Sequence, residues 1–185
     1  MHKPLALKFF DRPTTEVAQD LLGKFLIREY NDHHWALMIT EVEAYDGPDD
    51  KASHAHKGRT MRTEPMFACA GTLYTYLVYG MHWMLNIVTG PKDYPAAILI
   101  RSALIMLPTG EIEHIEGPAK LTKFLIIGKE FNAKPASREA GLWFEDRGIA
   151  IPPEHIIKQK RIGVDYAAEW KDALYNFSIE VTKNR

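Results

Sequence analysis

The stretch Ile39–Asn86 reads ITEVEAYDGPDDKASHAHKGRT (39–60) and then MRTEPMFACAGTLYTYLVYGMHWMLN (61–86). In its first run Glu41, Glu43 and Tyr45 alternate with Thr40, Val42 and Ala44, so an extended chain puts the polar three on one face. A carboxylate on a face that is to be buried needs partners or a proton. In the second run Tyr74 and Tyr76 share a face, and Tyr79 breaks the period of two immediately before Gly80. A parity break against glycine reads as a turn tip with one ring pushed out of the sheet. Acid, stacking rings and a projecting ring describe a site for a flat, neutral-to-cationic ligand. A nucleobase fits.

Working outward, Thr14–Leu22 has helical spacing at Val17, Ala18, Leu21 and Leu22, with a threonine cap, Glu16 in the first turn and Gly23 as the stop. Residues 24–29 and 35–45 read as strands joined by the polar turn Asn31–His34. Residues 73–78 and 81–88 form a hairpin around Tyr79–Gly80, and 97–105 is an apolar strand. Gly117 opens a short helix over 118–126. After Pro152–Pro153 the pattern suggests a helix over 154–160, and 174–181 reads as a closing strand. No repeat or linker divides the chain. The expected fold is α+β: one mixed domain over residues 1–185, with a curved, mostly antiparallel sheet, a protruding hairpin and flanking helices.

The 185 residues suffice for one domain with a sizeable core. Cys69 is the only cysteine, which excludes an internal disulfide and suits a reducing compartment. No targeting segment is legible in MHKPLALKFF, and the most apolar run, 96–107, is interrupted by Arg101 and Ser102 and too short for a bilayer. The expectation is a protein that is not secreted and has no membrane partner. Lys plus Arg number 23 against 24 acids, so net charge gives no nucleic-acid footprint. Local clusters do: Lys51, Lys57, Arg59 and Arg62 in one acid-free loop, and Lys158, Lys160 and Arg161 near the end. Each cluster reads equally well as solvated surface.

Other readings of single residues stay open at this level. A strand glutamate is commonly solvated, and strands favour tyrosine for packing alone. His54-Ala55-His56, if extended, could present two imidazoles to a metal, but no third ligand has convincing spacing. Asn86 and Arg101 interrupt apolar strands and need partners if buried.

E-V-E-A-Y followed by D-G-P-D-D-K-A-S-H resembles the catalytic strand and loop of the alkyladenine (3-methyladenine, methylpurine) DNA glycosylase family. The resemblance continues in F-F-D-R-P-T-T-E-V-A-Q-D-L-L-G-K, M-F-A-C-A-G-T-L-Y-T-Y-L-V-Y-G-M, M-L-N-I, A-I-L-I-R-S-A, G-P-A-K-L and R-I-G-V-D-Y-A-A-E-W, and so spans nearly the whole chain. It implies a monofunctional, cofactor-free enzyme that flips a damaged purine (3-methyladenine, 7-methylguanine, hypoxanthine or ethenoadenine) from duplex DNA and hydrolyses its glycosidic bond. Glu43 matches the general base, and Arg101 an arginine near the attacking water. Tyr45, His54 and Tyr76 match the residues enclosing the base, Leu99 a pocket wall, and Asn86 the residue opposing the amino group of guanine. Tyr79 matches the intercalating side chain. Lys120 matches a phosphate contact, with Lys57 and Arg59 as further backbone candidates, and Glu41 is given a structural or supporting part. A monomer acting on double-stranded DNA, in the cytoplasm (nucleoid-associated in a bacterium) or nucleus, is the corresponding expectation.

Two departures stand out. The segment between Arg101 and Gly117 is short where such enzymes carry a longer, partly helical one, and the closing strand reads A-L-Y-N-F in place of a pattern like P-L-R-F. Both are expected to affect DNA contacts and to leave the pocket alone. Two rival functions remain: a catalytically silent nucleic-acid-binding module, and a metal-dependent hydrolase built on His54, His56 and a carboxylate.

Overall fold

The computed structural model describes residues 2–181, so residues 1 and 182–185 of the expected domain lie outside the described residues. Two short helices, α1 (Leu7–Phe10) and α2 (Thr14–Leu21), precede the hairpin of β1 (Phe25–Tyr30) and β2 (His33–Asp46). Its two-residue turn, Asn31–Asp32, has φ of 46° and 63°, the left-handed pair that matches strand twist. The strands β3 (Leu73–Val78), β4 (His82–Val88) and β5 (Ala96–Met106) follow a long loop. Next come β6 (Ile112–Ile115), α3 (Pro118–Phe124), β7 (Leu142–Glu145), β8 (Ile156–Gln159) and β9 (Asn176–Ile179).

The fold is α+β. Among the described residues, one sheet of nine strands runs β3-β4-β5-β2-β1-β7, with β6 added to β5, β9 to β2 and β8 to β9. The strand pairings are antiparallel. Val17, Ala18 and Leu21 of α2 pack with Val42, Ala44, Ile98, Ile100 and Ile87 on one sheet face. Each valine, leucine or isoleucine among them, once buried, contributes about 1.5–3 kcal/mol. That face is the core, and the opposite face of the same strands is left for polar chemistry. None of the helices among the described residues is long and apolar enough to cross a membrane.

Several sequence expectations need correction. The segment over 154–160 is not a helix: Pro153–His155 makes one 3-10 turn and Ile156–Gln159 is strand, paired with β9. Two β-branched residues beside an open sheet edge outweigh the weak helical pattern. The α2 cap is Pro13, which fixes φ, and the Thr14 hydroxyl instead donates to Asp46 Oδ1 at 2.9 Å. Residues 54–57 form a 3-10 helix rather than an extended HxH. The short segment after Arg101 closes as the β5–β6 hairpin, with Leu104 opposite His114.

Candidate active site

Strand register assembles the site. Tyr74 lies opposite Asn86, Asn86 opposite Leu99, Leu99 opposite Glu43, and Glu43 opposite Asn176. One cross-strand row therefore runs from β3 through β4, β5 and β2 to β9. On the rows to either side, Tyr45 lies opposite Ala97 and Tyr76 opposite Met84. The alternation on the central pair is interrupted once, at Glu41, where the β2–β5 register shifts on both sides. Such irregularities re-aim side chains beside functional sites. Here the shift falls at Glu41 and sets it opposite Ser102, while the adjacent Arg101 pairs with both carboxylates.

These rows line a cleft of about 250 Å³, walled by Glu43, Tyr45, His54, Tyr76, Asn86, Leu99, Arg101 and Tyr79 among others. The structure thus brings together the sequence-expected catalytic, enclosing and intercalating residues. Glu43 sits at the floor with 0% exposure. Its Oε1 accepts from Ile162 N at 2.8 Å and Asn176 Nδ2 at 3.2 Å, and pairs with Arg101 Nη1 at 3.2 Å. Its Oε2 accepts the Tyr45 hydroxyl at 2.9 Å. Burial, then the neighbouring Glu43 charge, holds the Tyr45 phenol well above its ordinary value, so it remains a donor.

The aromatic walls are interlocked. His54 and Tyr76 meet edge-to-face with centroids 4.5 Å apart, and Tyr74 and Tyr76 are 5.2 Å apart. The Tyr74 hydroxyl and His54 Nδ1 are hydrogen-bonded at 3.1 Å. Desolvation, reinforced by the nearby Arg62 charge, pushes the His54 pKa down to about 4, so the ring is neutral at pH 7. Asn86 donates its amide to the Tyr74 carbonyl at 3.1 Å, which fixes its orientation in the wall. His56 turns away to the Pro48 carbonyl at 3.0 Å.

Tyr79 is 89% exposed at the tip of the β3–β4 hairpin, with φ of 52°, followed by Gly80 at 69°. The loop is three residues long, since Val78 pairs with His82. Lys120 is exposed on the first turn of α3, and Lys57 is exposed as well. Arg59 is differently placed: it pairs with Glu64 and Asp93 and lies over the Phe67 ring. Lys51 pairs with Glu169 at 2.6 Å and Lys160 with Asp172 at 2.5 Å.

Sequence reading missed three features. Arg161, counted there among surface cations, is buried and bound bidentately to Asp50 at 2.5 and 2.8 Å. Its guanidinium lies 4.8 Å from the Tyr45 ring centroid and donates to the Ala44 carbonyl. This pair fastens the segment whose Ile162 amide holds Glu43. The A-L-Y-N-F departure also reaches the pocket after all, because Asn176 bonds both Glu41 and Glu43. Finally, Tyr166 lines the cleft and donates to the Ala52 carbonyl at 3.1 Å. The run R-I-G-V-D-Y carried Arg161, Ile162 and Tyr166 together, but nothing in it marked which was buried.

The site is thus a buried carboxylate, with most of its hydrogen-bonding capacity on one oxygen, beneath a cage of neutral aromatic rings. The chain matches the methylpurine-DNA glycosylase family over residues 8–183, and it belongs to that family. It is therefore a DNA N-glycosylase, an enzyme of DNA repair. Proteins carrying the provisional name 3-methyladenine DNA glycosylase are similar throughout. That of Methanocella arvoryzae is 44% identical over 177 residues, covering 90% of this chain and 86% of the relative. That of Anaeromyxobacter sp. is 40% identical, covering 95% and 89%. The Clostridium perfringens protein (strain 13 / Type A) is 36% identical, covering 97% of each.

Proposed function

We propose that this enzyme removes alkylated or deaminated purines, 3-methyladenine first among them, from double-stranded DNA by flipping the nucleotide and hydrolysing its glycosidic bond. The observation that carries the reading is the hydrogen-bond pattern on Glu43. A carboxylate oxygen offers about two lone-pair sites. Oε1 has two hydrogen-bond donors and the Arg101 guanidinium on it, whereas Oε2 has only the Tyr45 hydroxyl and keeps a lone pair for a water once one is admitted. That water attacks the sugar C1′, Glu43 takes its proton, and the bond from C1′ to the base breaks with its electron pair leaving on the base. The transition state has oxocarbenium character, which the carboxylate stabilises. Because Glu43 has no accessible surface as it stands, the Tyr45 hydroxyl is the contact that has to yield when water is admitted.

A base cannot be reached inside the duplex, so it is rotated out. Tyr45, Tyr76 and His54 enclose it, and electron-rich rings favour cationic alkylpurines by about 0.5–2 kcal/mol. Tyr79 fills the vacated stack as aromatic wedges do, and Asn86 opposes the guanine amino group. Lys120, with Lys57, contacts phosphate. The enzyme acts as a monomeric single domain, without a cofactor, in the cytoplasm or nucleus. Single-lesion duplexes carrying 3-methyladenine, 7-methylguanine, hypoxanthine or ethenoadenine test this. Free base and an abasic site are expected from at least the first, with no adduct trapped by borohydride. Binding without release from any lesion would instead identify a silent binding module, and a trapped adduct would identify an amine nucleophile.

A further inference from the structure

Glu41 lies two residues before Glu43 on the same strand, yet it lines a different cleft, with Thr40, Ser102, His114 and Ser178. It does not line the base pocket. Its carboxylate nevertheless collects the groups that hold Glu43. Oε1 accepts from Arg101 Nε at 2.9 Å and from Asn176 Nδ2 at 2.9 Å, and Oε2 accepts from the Ser102 hydroxyl at 2.6 Å. Arg101 and Asn176 each reach on to Glu43 Oε1 with a second contact at 3.2 Å. The Ser102 hydroxyl accepts from Gly117 N at 3.2 Å, which ties the arrangement to the start of α3.

Two carboxylates this close repel unless positive or donor groups lie between them. Arg101 and Asn176 are those groups. Each is shared unequally, with the shorter contact on Glu41. A guanidinium with Glu41 removed would be free to move fully onto Glu43, and the Asn176 amide likewise. Burial alone would raise the Glu41 carboxyl, but hydrogen bonds from Ser102 and Asn176 and the Arg101 charge hold it below its ordinary value, so it is an anion at pH 7.

We infer that Glu41 is a positioning residue for the hydrolysis: it draws Arg101 and Asn176 toward itself and so sets how they meet Glu43. The inference rests on Glu43 as the general base. Its contribution passes through two donors that would otherwise collapse onto Glu43 Oε1 and swing the carboxylate, turning Oε2 away from the attacking water. The register shift around Glu41 sets Ser102 opposite it in place of Arg101, and Ser102 is the residue whose hydroxyl holds Glu41 Oε2.

The test compares Glu41→Gln, Asn176→Ala and the double variant with wild type, using single-turnover excision from a 3-methyladenine duplex and the Kd for an uncleavable lesion analogue. Glu41→Gln is expected to slow excision about 10- to 100-fold while Kd stays within about threefold. The double variant is expected to be little slower than the slower single one, as groups that act as a unit are non-additive. Excision within threefold of wild type, losses that multiply in the double variant, or a loss shared equally by Kd would each overturn the inference. If Glu41→Gln does not fold, Glu41→Asp carries the test, since it keeps the charge but draws the carboxylate back from Arg101 and Asn176; an unchanged rate there overturns it too. Glu43→Gln run alongside separates the two claims. Collapse of Glu43→Gln with a normal Glu41→Gln removes only the positioning role, whereas an active Glu43→Gln removes the base itself.

Discussion

The floor of the cleft and its mouth are built on opposite principles. At the floor Glu43, Tyr45, Arg101, Asn176 and Arg161 are tied to one another by short contacts across four segments of chain. At the mouth Tyr79 stands out in solvent on a tight loop, and Lys57 and Lys120 are exposed. The floor is organised before any ligand arrives. The mouth, on the reading proposed above, takes its organisation from the DNA. Substitutions at the floor should therefore change chemistry or folding, and those at the mouth should change binding.

The strongest test of that contrast is Glu43→Gln. It keeps the shape and removes the base, so single-turnover excision should fall about 10²- to 10⁴-fold while lesion-DNA binding persists. A rate within tenfold of wild type would break the contrast at its centre. Asp50→Asn should instead act on folding. It strands the buried Arg161 guanidinium, and truncating a buried pair costs about 3–5 kcal/mol. Urea denaturation should show this as a lower midpoint with an unchanged slope.

At the mouth, Tyr79→Ser removes the proposed wedge. Stacking of an aromatic ring on a base contributes about 1–3 kcal/mol, so affinity for duplex lesions should fall by that much with the chemical step intact. Fluorescence of 2-aminopurine beside the lesion would report the altered stacking, and a wild-type response would reduce Tyr79 to a structural aromatic. Lys120→Ala should be milder still, flattening the slope of log K against log salt by about 0.9 for one lost phosphate contact. Lys51→Ala should change that slope less, because Lys51 is already paired with Glu169.

The smallest effect concerns His54, which belongs to neither class cleanly. Its folded pKa of about 4 lies below the ordinary 6.5, so the unfolded chain binds the proton more readily between those values. Stability should decline as pH falls from 6.5 toward 4, and His54→Asn should lose part of that slope. Urea midpoints at pH 7 and 5 for both proteins measure the difference.

What could be read in the sequence follows the same division. The parity of Glu41, Glu43 and Tyr45, and of Tyr74 and Tyr76, was legible because polar or phenolic side chains alternate with apolar or small ones along each strand, whose side-chain period is two. The tip was legible because Tyr79 breaks that period against Gly80. The row joining Asn86, Leu99, Glu43 and Asn176 was not, since it depends on registers between strands up to 133 positions apart. Residues 154–160 were misread for a related reason: the edge of β9 that makes them strand lies elsewhere in the chain. Arg161 was taken for surface because a cation's burial depends on its carboxylate, and Asp50 is 111 residues away.

The left-handed backbone at Tyr79 bears on how such an enzyme could be improved. A non-glycine residue at φ of 52° is strained, and a bare aromatic ring in water gains nothing by being there. Screening variants for heat tolerance alone would thus favour Asn or Gly at this position early. The resulting protein would survive higher temperatures and, on the reading proposed above, lose its grip on damaged duplexes. Any campaign to harden this fold has to select on damaged DNA at every round.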